Sequence, residues 1–116
     1  YSSEVTALAY RAKQVLDKFH LKNLTITDLA HKLKTNSTSF GRAFRKEYGI
    51  SPVQYRNHMR IVAGSLEMIG DRAIIDVFQE VGFNDLSRFN KQFKRITGTS
   101  PKKFAAKKKN RKTPSF

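Results

Sequence analysis

The chain has 116 residues, with 23 Lys and Arg against 9 Asp and Glu, a formal net charge of +14 and a pI near 10.4. This length allows one domain or two very small ones, and 39% hydrophobic residues, including nine Phe and four Tyr, can supply a core that a disordered chain lacks. There is no Cys, which excludes disulfides, zinc–thiolate sites and cysteine nucleophiles, and no apolar run approaches the roughly 18 residues of a membrane span.

In chain order, Val5, Leu8, Ala9, Ala12, Val15, Leu16 and Phe19 fall on one face of a first helix. The stretch Asn23 to Thr25 breaks it. Ile26, Leu29, Ala30 and Leu33 mark a short second helix with Thr25 or Thr27 as N-cap. Asn36 and Ser37 cap a third, with Phe40, Ala43 and Phe44 inward and Gly49 placed to end it in the left-handed conformation. Ser51-Pro52 is an N-cap followed by Pro at the first helical position. The fourth helix runs to about Ile69, with a stripe of Tyr55, Met59, Val62, Leu66 and Ile69, and Gly70-Asp71 ends it and caps the next. Ile74, Val77, Phe78 and Val81 form the face of a fifth helix that stops at Gly82. Asn84 or Asp85 caps a sixth, which buries Leu86 or Phe89, then Phe93 and Ile96, and Gly98 closes it. Ser100-Pro101 starts a short seventh helix anchored by Phe104. The expectation is an all-α fold of about seven helices. A first helix-turn-helix subdomain occupies 1–50, a linker helix 51–70, a second helix-turn-helix subdomain 71–106 and a basic disordered tail 107–116.

An internal repeat underlies this division. FRKEYGISPVQY (44–55) and FKRITGTSPKKF (93–104) share Phe, two basic residues, Gly, Ser-Pro and a closing aromatic at an offset of 49. Phe40 and Phe89 extend the match, and ITDLAHKL aligns with IIDVFQEV one residue out of step. Two copies imply a pair of like supersecondary units rather than a solenoid. The charge follows the repeat. Residues 37–60 carry five basic and one acidic side chain and 84–106 carry six and one, whereas 61–83 between them carry one and four. Each unit is a short helix, a tight turn and a basic helix with two Phe inside, the shape in which a second helix enters the major groove of DNA. A solvated amphipathic face would explain one such helix. Two in the same context, separated by an acidic stretch, point to two contact surfaces for a polyanion. A linker helix of about 27 Å lets two such units reach major-groove faces about 34 Å apart. The two outer faces differ, so the site is expected to be asymmetric rather than palindromic.

These residues resemble the DNA-binding domain of AraC/XylS-type bacterial transcription regulators over about residues 5–106. The similarity is most specific at Ile75, Val81, Gly82-Phe83, Phe89, Phe93-Lys94, Gly98 and Ser100-Pro101. The resemblance implies that the third and sixth helices contact bases. By motif position that assigns Thr38, Ser39, Arg42 and Lys46 to one groove, and Leu86, Ser87, Asn90 and Lys91 to the other. Arg45, Arg88, Lys94 and Arg95, with residues around the starts of the second and fifth helices, are then the phosphate contacts. It also implies double-stranded DNA as partner, RNA polymerase as a further candidate, a monomeric isolated domain and a cytoplasmic, nucleoid-associated location. A chain beginning at Tyr1 is then expected to be the C-terminal part of a larger regulator. Four positions depart from the family pattern. Phe78 replaces a small residue, so the second core must open or repack; Lys34 replaces a Gly; and Gly41 and Leu86 stand where polar residues are common.

Catalysis has no support in the sequence. His20, His31 and His58 are isolated, and there is no HExxH, nucleophile elbow or P-loop. No cofactor or metal is expected. A general polyanion or RNA-binding basic helical module is the alternative, which charge alone does not separate from DNA reading, although there is no aromatic strand motif or GxxG clamp for RNA. A membrane surface lacks a helix with a broad apolar face opposite a basic one.

Overall fold

The computed structural model describes the backbone of residues 2–112 and the side chains of residues 4–107. Its helices are α1 (Ser2–Phe19), α2 (Ile26–Lys32), α3 (Ser37–Tyr48), α4 (Pro52–Ile69), α5 (Ile74–Glu80), α6 (Leu86–Thr97) and α7 (Pro101–Lys112), with no strand among the described residues. The chain divides into two compact units, Tyr1–Met59 and Arg60–Phe116, so the division falls within α4.

In the first unit, Phe40 and Phe44 of α3 close over Ala12 and Leu16 of α1 and over Leu29 and Ala30 of α2. Burying each ring contributes about 1.5–3 kcal/mol relative to exposure. The caps are those the sequence offers. Thr25 and Asp28 form a reciprocal capping box on α2, Asn36 accepts from the Ser39 N–H, and Gly49 ends α3 at φ 80°. Ser51 and Gln54 make a second reciprocal box at the start of α4. The first turns of α4 are tied down by polar contacts. The Tyr55 hydroxyl donates to Asp17 Oδ1, Lys13 Nζ lies 3.0 Å from Asp17 Oδ2, and Arg56 Nη1 donates to the Leu24 carbonyl. Burial, then the Asp17 carboxylate, pushes the Tyr55 phenol up.

The second unit repeats the plan with a more aromatic core of Val77, Phe78, Val81, Phe83, Phe89 and Phe93, together with Ile61 and Met68. Phe78 is a buried member of this core, at a ring separation of 6.4 Å from Phe89. Phe83, Phe89, Phe93 and Phe104 continue the chain of tilted and edge-on rings.

Two turns carry the repeat at an offset of 48. Lys34 and Gly82 both take positive φ, 58° and 100°. Thr35 N–H donates to Ala30 O in one turn, and Phe83 N–H to Phe78 O in the other. The second turn is braced by the buried Arg60, whose Nη1 donates to Gly82 O at 3.1 Å while its guanidinium lies 6.0 Å from the Phe83 ring centroid.

Three expectations are corrected. The stripe on α4 does not turn inward along its length: Val62, Leu66 and Ile69 are 42, 62 and 47% exposed, and Arg60, Ile61, Gly64 and Met68 form the buried face. Gly64 decides between the two faces, because a Cβ there would stand 3.3 Å from Phe89 Cε1 and 3.4 Å from Val77 Cγ1. Asp71 does not cap α5. It sits at φ 71° in the turn that closes α4, and Ala73 occupies the N-cap without a side-chain hydrogen bond. Residues 107–112, expected in the disordered tail, continue α7, consistent with the helix preference of Lys and Arg. The rest of that tail, 113–116, lies outside the described residues.

Candidate nucleic-acid interface

The exposed side of α3 and that of α6 each form the wall of a groove. The first has a volume of about 650 Å³ and is lined by Ile26, Ser37, Thr38, Gly41, Arg42, Arg45, Lys46, Ser51, Pro52 and Val53. The second, about 780 Å³, is lined by Ile74, Ile75, Leu86, Ser87, Asn90, Lys91, Lys94, Ser100, Pro101 and Lys102. Nine of these positions pair at the offset of 49, from Ile26 with Ile75 through Arg42 with Lys91 to Val53 with Lys102. The same concavity is therefore built twice, by α3 or α6, the start of the helix before it and the start of the helix after it.

The polar side chains face outward because the Phe pair fixes the helix phase. Phe40 and Phe44 are fully buried, as are Phe89 and Phe93, and Arg42, Arg45, Lys46, Asn90, Lys91 and Lys94 on the opposite side of each helix are turned to solvent. Arg42, Arg45, Lys46, Arg88, Lys91 and Lys94 are exposed, and among the described residues their side chains make no ion pair or hydrogen bond. The acids engage elsewhere. Asp85 caps α6 at the Ser87 N–H, Asp28 caps α2, and Glu67 and Glu80 hold Arg72, with Nη1 3.2 Å from Glu67 Oε2. Glu47 lies in the last turn of α3 and forms no ion pair among the described residues, so the cations of α3 and α6 are left unpaired there, as a phosphate-binding surface requires.

Most of the residues singled out in the sequence come together in these two grooves. Thr38, Arg42, Arg45 and Lys46 line the first, and Leu86, Ser87, Asn90, Lys91 and Lys94 the second. Ser39 instead borders a neighbouring cleft with Glu4, Val5 and Leu8. Leu86 also packs against the second core. Arg88 and Arg95 lie outside the second groove, and Arg95 donates from Nη2 and Nε to Gln92 Oε1 at 2.8 and 3.1 Å. The residues the sequence reading missed are Ser51, Pro52 and Val53 with their counterparts Ser100, Pro101 and Lys102. The Ser-Pro repeat that marks two helix starts is the signal that could have placed them in equivalent grooves. Among the described residues no cluster of three His, Asp or Glu could hold a metal, and no helix is long and apolar enough to cross a membrane.

A family model described as a helix-turn-helix domain matches residues 29–107. The chain is similar to the HTH-type transcriptional regulator ExsA of Pseudomonas aeruginosa, 28% identical over 92 residues that cover 78% of this chain and 33% of that protein. It is similar to the arabinose operon regulatory protein of Escherichia coli K12, 33% identical over 85 residues, 72% of this chain and 29% of that protein. The chain spans about a third of the length of the curated relatives it matches. In fold it is similar to the C-terminal domain of AraT, a response regulator from Geobacillus stearothermophilus, with a TM-score of 0.77 at 22% identity over 86% of this chain and 84% of that one. A DNA-binding transcriptional dual regulator from Escherichia coli K-12 gives 0.75 at 17% identity over 89% and 93%.

Proposed function

The chain belongs to the helix-turn-helix family of the AraC/XylS type, and from that premise we propose that it reads double-stranded DNA by sequence and acts in the regulation of transcription. The observation that carries this reading is the duplicated groove: two helices in equivalent surroundings, each with cations that have no partner among the described residues. Each helix enters a major groove, and the two engage neighbouring grooves.

Roles follow from side-chain chemistry. Arg42 presents the fork that matches guanine O6 and N7, and Asn90 the amide that matches adenine N6 and N7. Thr38, Ser39, Ser87 and the methyls of Leu86 adjust contacts beside them, while Lys46 and Lys91 reach acceptors on either bases or phosphates. Arg45, Arg88, Lys94 and Arg95 hold phosphates and set register without reading sequence. Two unlike readers in one chain need no second copy, so the domain binds as a monomer. RNA polymerase is the partner through which it acts, in the bacterial cytoplasm at the nucleoid.

Competition tests the reading. A labelled duplex recovered from a random pool should be displaced by the same unlabelled duplex far more effectively than by structured RNA or heparin of equal charge. Equal displacement by all three would make the chain a general polyanion binder and overturn the proposal.

A further inference from the structure

The six glycines of this chain are explained by the fold, with one exception. Gly49, Gly82 and Gly98 sit at positive φ, Gly64 is pressed by Phe89 and Val77, and a Cβ on Gly70 would stand 3.3 Å from the Glu67 carbonyl. Gly41 has none of these reasons. It lies in the middle of α3 with right-handed helical backbone, and a Cβ built on it meets no atom within 4 Å. A glycine inside a helix weakens it relative to Ala, because the unfolded chain loses more freedom on folding. The folded protein therefore gains nothing from the missing side chain. Gly41 also lies on the wall of the first groove, one turn after Thr38 and one turn before Arg45, and its counterpart in the second groove is Asn90.

We propose that Gly41 is a close-approach point for duplex DNA: the bare α3 backbone seats against the base edges of the major groove, where any side chain would hold the helix away. The inference rests on the DNA-reading function proposed above and deepens it. The two units then dock at different depths. The first brings its helix backbone to the bases, and the second stands off by the length of Asn90 and reads through it. The specificity of the first unit depends on Gly41 because seating there sets the reach of Thr38 and Arg42.

The test separates stability from binding. Gly41→Ala and Gly41→Leu are made in the full chain, and thermal unfolding is measured alongside affinity for a duplex selected by the unsubstituted protein. Gly41→Ala should raise Tm by about 2–6 °C and weaken binding to the selected duplex about fivefold or more. Gly41→Leu should keep or raise Tm and weaken binding by tenfold or more, on the order of an overpacked contact. A variant that melts higher and binds as tightly as the parent overturns the close-approach role while leaving the DNA-reading proposal intact. A fall in Tm for Gly41→Ala overturns it too, since the open space around the residue would then not exist. If the parent protein enriches no duplex, the underlying function fails first.

Discussion

Gly82→Ala should be among the most damaging single methyl additions in the second unit. Two independent costs meet at this position. The backbone at φ 100° lies where side chains are disfavoured, which costs about 1–2 kcal/mol for a residue bearing a Cβ. The new Cβ would also stand 2.7 Å from both Cζ and Nε of Arg60, a separation that a Cβ does not tolerate from any non-bonded heavy atom. Arg60 is 6% exposed, so its guanidinium has little room to retreat, and moving it breaks the 3.1 Å hydrogen bond to Gly82 O. Loss of a hydrogen bond to a charged group adds about 1.5–3 kcal/mol. Together the substitution should cost about 3–5 kcal/mol, a large part of the stability of a small domain. Urea unfolding followed by far-ultraviolet circular dichroism measures it. All four tyrosines precede residue 60, so tyrosine fluorescence reports on the first unit separately. In an Arg60→Ala background the same Gly82→Ala change should cost markedly less, because the clash is gone and only backbone strain remains. A loss below about 1 kcal/mol, or equal losses in both backgrounds, would refute the bracing of this turn by Arg60.

Three further outcomes follow from the same geometry. Lys34→Gly should stabilise the first unit by about 0.5–1 kcal/mol, since it relieves a side chain held at φ 58°, and a urea midpoint that falls instead would contradict the assigned strain. Arg42→Ala should weaken a selected duplex by about 1–3 kcal/mol more than random DNA, whereas Lys94→Ala should weaken both alike and lower the salt slope by about one, as read by anisotropy titrations at several salt concentrations. The Asp28 carboxyl is held below its ordinary value of 3.8, chiefly by the Thr25 N–H, so its stabilisation is fully present above that value and is lost as pH falls through the lower folded value. The stability gap between the parent and Asp28→Asn, followed by acid titration of the unfolding midpoint, should therefore close on acidification, and a gap that widens in acid would reverse the sign of this assignment.

Much of the fold was legible because its punctuation is chemical. Asn36, Asp85 and Thr25 cap helices, Gly49 and Gly98 end them in the left-handed conformation, and each Ser-Pro pair opens one. The buried Phe pairs then fix which side of α3 and α6 meets solvent, so Arg42, Lys91 and their neighbours could be named before any coordinates. The inner face of α4 was not legible. Two apolar stripes lie side by side, and only the approach of Phe89 at Gly64 selects the one with Ile61 and Met68. Arg60 escaped for a related reason: hydropathy assigns a cation to the surface, and its buried partner is a backbone carbonyl that no sequence pattern marks. Residues 107–112 have helix-forming side chains but no apolar face, so periodicity could not find them. Gly41 stood out in the sequence only as a glycine where polar residues are common, and the empty space around it is visible only in the fold.

Selection of bound sequences from random duplexes, carried out with the full chain, tests the duplicated reader most directly. It should return a site with two unlike half-sites whose centres lie about 10–10.5 base pairs apart. A single short site, a palindrome, or no enrichment over random DNA would contradict it.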